Sequence, residues 1–225
     1  MLTKPTVSYK GLRLKNITSP EYRHLFLILG WPLYFALYYL TENFIPNENC
    51  HIVHSFFDDI IPFSEIFVIP YVLWYALIAF SLIYFLFYSI ESFKALQTYF
   101  IIVQLIATVI FIVYPSKQML RPEEFARDNL LTDLVGALYS ADTNTGVCPS
   151  LHVAMSIGIA SAWLKEKSAH WTFKAFIVLF CIIICLSTAF IKQHSVVDTY
   201  VAIPVCMVAE IIVFYKWYKA KLKRK

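Results

Sequence analysis

Charged residues are scarce in this sequence. Asp, Glu, Lys and Arg make up 15% of its 225 residues, against roughly 25% in a typical soluble domain. Hydrophobic residues reach 59%, and the mean hydropathy is +0.63. This composition excludes an ordinary soluble enzyme and predicts an integral membrane protein. The net charge of +4 is too small to indicate a nucleic-acid partner.

The sequence also lacks the cysteine spacings of zinc sites and disulfide-rich scaffolds. It has five cysteines, with no Cys-x-x-Cys pair and no zinc-finger spacing. Cys181, Cys185 and Cys206 fall in apolar runs, as small buried residues do. Cys50 and Cys148 fall in polar loops on one side of the predicted membrane, where they either form a disulfide or remain free thiols.

Six apolar runs predict an all-α fold, an integral membrane bundle of six transmembrane helices. The runs cover residues 25–40, 66–90, 99–114, 150–164, 174–191 and 195–215. The chain then divides into a basic N-terminal segment (1–24), a six-span membrane domain that carries the candidate site (25–215) and a basic tail (216–225).

Basic residues are concentrated on one side of this predicted bundle. Both termini are basic, as are the links at 91–98 and 165–174, whereas the loop 41–65 has no Lys or Arg. The positive-inside rule therefore places both termini in the cytoplasm, with the inner or plasma membrane of the cell as the expected location. The loop 115–149 and the link before the sixth run then face outward.

The outward loop contains one amphipathic segment. Between Glu123 and Tyr139, apolar residues recur at helical spacing, namely Phe125, Leu130, Leu131, Leu134, Val135 and Leu138. We expect a short helix that lies in the membrane interface. It either guides a lipid head group towards a site or covers the end of the bundle.

Two stretches at the outer ends of the predicted spans carry the candidate chemistry. Pro149 suits the first position of a helix, which would put Ser150 and His152 in the first turn, where backbone N–H groups favour an anion. His194 and Asp198 are four residues apart, so on a helix they share a face and the carboxylate can fix the imidazole tautomer. Two crossings and a short turn separate these stretches, so both lie on the outer side.

Basic residues and an alternative ligand set complete the candidate site. Arg121 can hold phosphate oxygens bidentately or meet lipid phosphates as an ordinary interfacial arginine. Lys117, one turn earlier, adds positive charge or extends its amine to the interface. Two histidines and an aspartate can also bind zinc, but that would leave Ser150 and Arg121 without a role. Glu210 lies too far along the sixth run to join the site, and a structural partner is expected for it.

These motifs resemble those of the type-2 phosphatidic acid phosphatase superfamily. That family carries K-x6-R-P, P-S-G-H and S-R-x5-H-x3-D motifs on a bundle of six membrane spans. The matching residues here are Arg121-Pro122, Pro149-Ser150-Leu151-His152 and His194-x3-Asp198. The resemblance extends over about residues 95–215, with the motifs in the family's order.

The resemblance implies a role for each matching residue. His194 would be the nucleophile that forms a phosphohistidine, and Asp198 would orient it. His152 would be the general acid that protonates the leaving alcohol. Arg121 and Ser150 would hold the phosphate, with Lys117 beside them. The family chemistry needs no metal and no cofactor.

Three departures from the family pattern indicate a particular branch. Tyr114 stands where the family has lysine, and Lys117 is the nearest replacement. Thr188 takes the place of the third-motif arginine, and Leu151 that of the glycine. With Tyr139-Ser140-Ala141-Asp142 upstream, the chain resembles the inositol phosphorylceramide and sphingomyelin synthases, which pass a head group to a lipid alcohol.

We therefore expect a lipid phosphatase that works without a metal and through a phosphohistidine. Its substrate would be a phospholipid or isoprenoid phosphate, a monoester or diphosphate, met at the extracytoplasmic face. The first alternative is a phosphotransferase that uses a lipid or polyol alcohol as the acceptor. The second is a non-catalytic membrane protein that binds lipid. A lipid substrate and the membrane are the expected partners.

Overall fold

The computed structural model describes residues 5–222, and within that range its regular secondary structure is almost entirely helical. Its α-helices are α1 (Gly30–Phe44), α2 (Phe56–Ile60), α3 (Val68–Tyr88), α4 (Ile90–Val113), α5 (Leu130–Ala141), α6 (Leu151–Lys165), α7 (Trp171–Phe190) and α8 (Val196–Leu222). Two short strands, β1 (His51–Ile52) and β2 (Ser116–Lys117), pair in parallel. A 3₁₀-helix, Arg23–Leu29, leads directly into α1.

Five helical segments are long and apolar enough to cross a membrane. They are Arg23–Phe44, Glu65–Tyr88, Ile90–Val113, Trp171–Phe190 and Val196–Tyr215. They correspond to five of the six apolar runs, so the prediction of a helical integral membrane protein is confirmed at that level. The remaining run forms α6, which has only 15 residues.

The central helix of the bundle is α4. It packs against α1, α3, α6 and α8, while α6 also packs against α7 and α8. Leu96, Tyr99, Phe100 and Val103 form a fully buried stripe on α4, at the spacing of one helix face. The opposite face of α4 exposes apolar side chains, including Ile112, as suits a helix with one lipid-facing side.

The helices α4 and α6 are in close contact at Gly158. A Cβ atom added there would lie 2.4 Å from Cε1 of Tyr99. Since Tyr99 is fully buried, its ring has no space into which to move. Glycine at this position therefore permits the contact that sets the spacing of the two helices.

Gly158→Ala is expected to destabilise the protein by about 1–3 kcal/mol, since the added methyl overpacks the contact between α4 and α6. Thermal unfolding in detergent measures this effect. Gly136→Ala in α5 is the matched control, because its added Cβ would lie 3.7 Å from Phe125, an ordinary contact distance. Alanine also favours a helix over glycine there. Equal melting temperatures for the two variants would contradict the expected effect at Gly158.

Several predicted boundaries were wrong. Residues 91–98 are not a link, because α4 begins at Ile90 and only Ser89 separates it from α3. The amphipathic helix does not begin at residue 123. It begins at Leu130, where the Asn129 side chain accepts hydrogen bonds from backbone N–H groups of the first turn.

The ends of the chain also differ in part from the prediction. α8 continues to Leu222, so most of the predicted tail extends the sixth run as helix. Residues 1–4 of the basic N-terminal segment and residues 223–225 of the tail lie outside the described residues.

Glu210 has the structural partner that was expected. Its Oε1 atom lies 2.5 Å from Nζ of Lys165, and its Oε2 accepts a hydrogen bond from the Ser161 hydroxyl at 2.7 Å. Both partners belong to the C-terminal part of α6. The ion pair therefore joins α6 to α8 at the end opposite to His152.

Candidate active site

His194 lies in the short turn between α7 and α8. Its backbone N–H donates to the carbonyl oxygen of Thr188 in α7 at 3.1 Å, and α8 begins two residues later at Val196. Its Nδ1 atom lies 3.0 Å from Oδ2 of Asp198, a fully buried carboxylate in the first turn of α8. Because an ionised carboxylate only accepts hydrogen bonds, Nδ1 carries the proton and Nε2 keeps its lone pair.

His152 stands opposite, near the start of α6. Its ring centroid lies 5.8 Å from that of His194. Two aromatic rings of α3 enclose it, with centroids 4.2 Å away for Tyr71 and 4.0 Å away for Trp74. Among the described residues Nε2 of His152 is buried without a hydrogen-bond partner, so it can serve a bound molecule.

The structure thus brings together His152, His194 and Asp198, which the sequence places in two separate stretches. Both imidazoles line a cavity of about 370 Å³. Aromatic side chains form part of the rest of its wall, namely Trp31, Tyr34, Phe35 and Tyr38 from α1 and Trp74 and Tyr75 from α3. The cavity wall therefore combines polar side chains, among them both imidazoles, with an apolar part to which α1 and α3 contribute.

Ser150 occupies a different position from the one predicted. The helix α6 begins at Leu151, so Ser150 is its N-cap and Pro149 lies outside the helix. The Ser150 hydroxyl accepts from the N–H of Val153 at 3.4 Å, and its own N–H donates to the carbonyl of Asp198 at 3.2 Å. Ser150 is fully buried. It holds the start of α6 against α8, and its predicted phosphate contact stays a prediction.

Arg121 binds the end of α5 and the segment that follows it. Its terminal nitrogens donate to the carbonyl oxygens of Tyr139 at 3.0 Å, Asp142 at 2.9 Å and Thr143 at 2.8 Å. A fourth bond, of 2.6 Å, goes to the side chain of Gln193. Burial lowers the pKa of the guanidinium, and the nearby Asp142 carboxylate opposes that shift.

The three predicted phosphate ligands stand behind the cavity wall. In the part of the chain that the structure describes, neither Arg121, Ser150 nor Lys117 lines the cavity. Lys117 belongs to β2 and forms a bridge with Thr145. Their binding of phosphate remains a prediction, whereas their observed contacts fix the loops that carry the histidines.

Sequence reasoning missed Asp142 and Gln193, two polar residues that line the cavity. The hydroxyl of Tyr38 donates to Oδ1 of Asp142 at 2.9 Å, and Nε2 of Gln193 donates to its Oδ2 at 3.3 Å. These contacts join α1, the segment after α5 and the turn before α8. No local spacing in the sequence connects such distant positions, although Gln193 directly precedes His194.

All five cysteines are free thiols in this structure. The predicted alternative of a Cys50–Cys148 disulfide is therefore wrong. Burial, followed by the nearby Asp198 carboxylate, raises the pKa of the Cys148 thiol to about 12, which keeps the thiol protonated. Residues 5–222 contain no group of three His, Cys, Asp or Glu side chains placed to hold a metal ion.

Comparisons with family models, with curated proteins and with solved structures gave no match for this chain. The likeness to the phosphatase superfamily thus consists of the motifs themselves. A function is inferred from those motifs together with the cavity and the His194–Asp198 pair.

Proposed function

We propose that this protein is a lipid phosphate phosphatase of the type-2 phosphatidic acid phosphatase kind, with His194 as its nucleophile. The observation that carries the proposal is the His194–Asp198 pair, whose imidazole lines the same cavity as His152. The carboxylate holds the proton on Nδ1 and stabilises the positive charge that develops on the ring during attack.

The reaction would proceed in two steps. Nε2 of His194 attacks phosphorus, so that a P–N bond forms and the bond from phosphorus to the lipid oxygen breaks. His152 gives its proton to the leaving alkoxide. Water then attacks the phosphohistidine, gives a proton to His152 and releases inorganic phosphate. Both histidines return to their starting states, and no oxidant, reductant or metal is required.

The apolar part of the cavity supports a lipid as the substrate. Both α1 and α3 pack against α4, and their aromatic side chains form the cavity wall between them. A hydrocarbon tail there would replace water at Trp31, Phe35 and Trp74, which favours binding. The phosphate would then reach His152 and His194 from the membrane side.

Two further features of the arrangement belong to this proposal. We take α6 as a sixth crossing, because its 15 residues extend about 22 Å, which would put His152 in the first turn near the outer boundary. We take α5 as an interfacial helix, because Leu130 is exposed while Val135 is buried. The excess of basic residues at the termini favours an extracytoplasmic site in the cell membrane.

A phosphotransferase is the second candidate, and Asp142 favours it. Its carboxylate lines the cavity that His194 also lines. A carboxylate can accept a hydrogen bond from the hydroxyl of an alcohol and draw its proton away during attack. The phosphohistidine would then pass its phosphoryl group to that alcohol rather than to water.

Phosphate release from a panel of lipid mono- and diphosphates in detergent tests the proposal. We expect release that persists in EDTA and that falls by about 10³-fold or more in Asp198→Asn, which loses the ionised partner of His194. Loss in EDTA alone would overturn the metal-independent reaction. No release from any lipid would overturn hydrolysis. Adding acceptor alcohols to the same samples then separates a phosphotransferase from a protein that only binds lipid.

A further inference from the structure

Asp58 is a buried carboxylate in α2, only 3% exposed, and the reaction described above does not use it. Its Oδ1 atom accepts the backbone N–H of Val196 at 2.8 Å. Its Oδ2 accepts the hydroxyl of Ser195 at 2.5 Å and the N–H of Ser55 at 2.7 Å. The first loop of the chain is thus bound to the two residues that follow His194.

A second connection joins the same loop and turn, and here the donor belongs to the turn. Nζ of Lys192 donates to the carbonyl oxygens of Asp58 at 2.7 Å and of Ile61 at 2.5 Å. Burial lowers the pKa of this ammonium, and the carboxylates of Asp58 and Asp59 oppose the shift. Lys192 itself has a φ of 55°, a left-handed conformation that non-glycine residues rarely adopt. The turn that carries His194 is therefore fixed on both sides by α2.

The hydrogen bonds of Asp58 reach the start of α8, next to the residues that set the geometry of the candidate site. The first N–H groups of a helix have no partner within the helix, and Asp58 supplies one at the start of α8. The N–H of Ser195 donates to Oδ2 of Asp198 at 3.0 Å, the same oxygen that meets His194. A shift of Ser195 would therefore displace Asp198 from the imidazole.

We propose that Asp58 is a positioning residue that fixes the start of α8 and thereby orients His194 and Asp198. The effect on turnover rests on the proposed function, whereas the effect on the turn does not. Asp58 contacts neither the cavity nor a reacting atom, so it acts only through the His194–Asp198 pair.

Asp58→Asn and Asp59→Asn form a matched pair of variants. Asp58→Asn keeps the shape of the side chain but replaces one of the two carboxylate oxygens that together accept three hydrogen bonds. The second removes the same charge one residue later, where the Asp59 side chain is 63% exposed and pairs with His54. An exposed pair of this kind contributes little to stability. Any effect of Asp58→Asn that Asp59→Asn lacks belongs to the buried contacts.

Hydrogen–deuterium exchange of the full-length protein in detergent tests the contact itself. In Asp58→Asn we expect amides in residues 192–199 to exchange about tenfold faster than in the wild type, with α4 and α6 unchanged. Asp59→Asn should match the wild type. Unchanged exchange in residues 192–199 of Asp58→Asn would overturn the proposal. This measurement needs no substrate and decides the matter even if the protein has no phosphatase activity.

Kinetics test the positioning role. We expect Asp58→Asn to lower kcat by about 10- to 100-fold, because a misplaced nucleophile reacts slowly, and to leave KM within about twofold. In an Asp198→Asn background the same substitution should cost less than about threefold, since the pair it positions is already broken. A full loss in both backgrounds, or a change in KM alone, would overturn the role. A wild type without turnover would instead count against the proposed function.

Discussion

Replacing His194 by alanine is expected to reduce phosphate release by about 10⁴-fold or more, because the covalent route loses the atom that attacks phosphorus. The labelled intermediate should disappear with it. Rapid quenching of the wild type with a ³²P-labelled lipid phosphate, followed by denaturation in alkali, preserves a phosphohistidine. The label should map to the peptide that contains His194 and should be lost on acid treatment.

The control is His54→Gln, which alters an exposed histidine paired only with Asp59 at the surface. Its turnover should equal that of the wild type. Label that persists on the protein in His194→Ala, or label that survives acid, would place the nucleophile elsewhere. Release that continues in His194→Ala without any labelled intermediate would indicate direct attack by water.

Replacing His152 should slow turnover by about 10²- to 10⁴-fold, the usual contribution of a general acid. The loss should depend on the leaving group. An alkyl alcohol needs a proton as it departs, whereas a phenolate with a low pKa does not. We therefore expect a large loss with a lipid phosphate and a much smaller one with an aryl phosphate, compared in the same detergent.

His152→Phe is the more informative variant, because a phenyl ring can keep the stack with Tyr71 and Trp74 but carries no proton. His152→Gln removes the stack as well as the proton. Similar thermal unfolding of His152→Phe and the wild type would show that the fold is kept. Equal losses with both kinds of leaving group would contradict the role of general acid.

The parts of the site that could be predicted are those coded by local spacing. The four-residue interval from His194 to Asp198 predicts that the two side chains meet, and their atoms lie 3.0 Å apart. The shared helix face was wrong, because His194 lies in the turn before α8. The apolar runs predict the long helices because a membrane-spanning helix is apolar on its buried face and on its lipid-facing side alike. The charges of Glu91 and Lys94 led to the wrong prediction of a link between two spans. Both residues lie on the surface of α4, where they form an ion pair at 2.8 Å.

The parts that could not be predicted depend on contacts between distant segments. A motif gives the residue type at Arg121 but not the direction of its guanidinium, which donates to carbonyl oxygens at the end of α5 and just after it. Asp58 is one of several acids in a loop, and only the folded chain brings it to Val196. Likewise the partnership of Tyr38 with Asp142 requires α1 and the segment after α5 to meet.

The enclosure of α6 has a consequence for how the protein is made. Its neighbours α4, α7 and α8 cover it so fully that Leu164 is its one large hydrophobic residue exposed to the surroundings. Such a helix gains little from the lipid and most of its stability from neighbours, two of which are synthesised after it. A nascent chain halted before α8 would therefore leave α6, and with it His152, without one of the helices against which it packs.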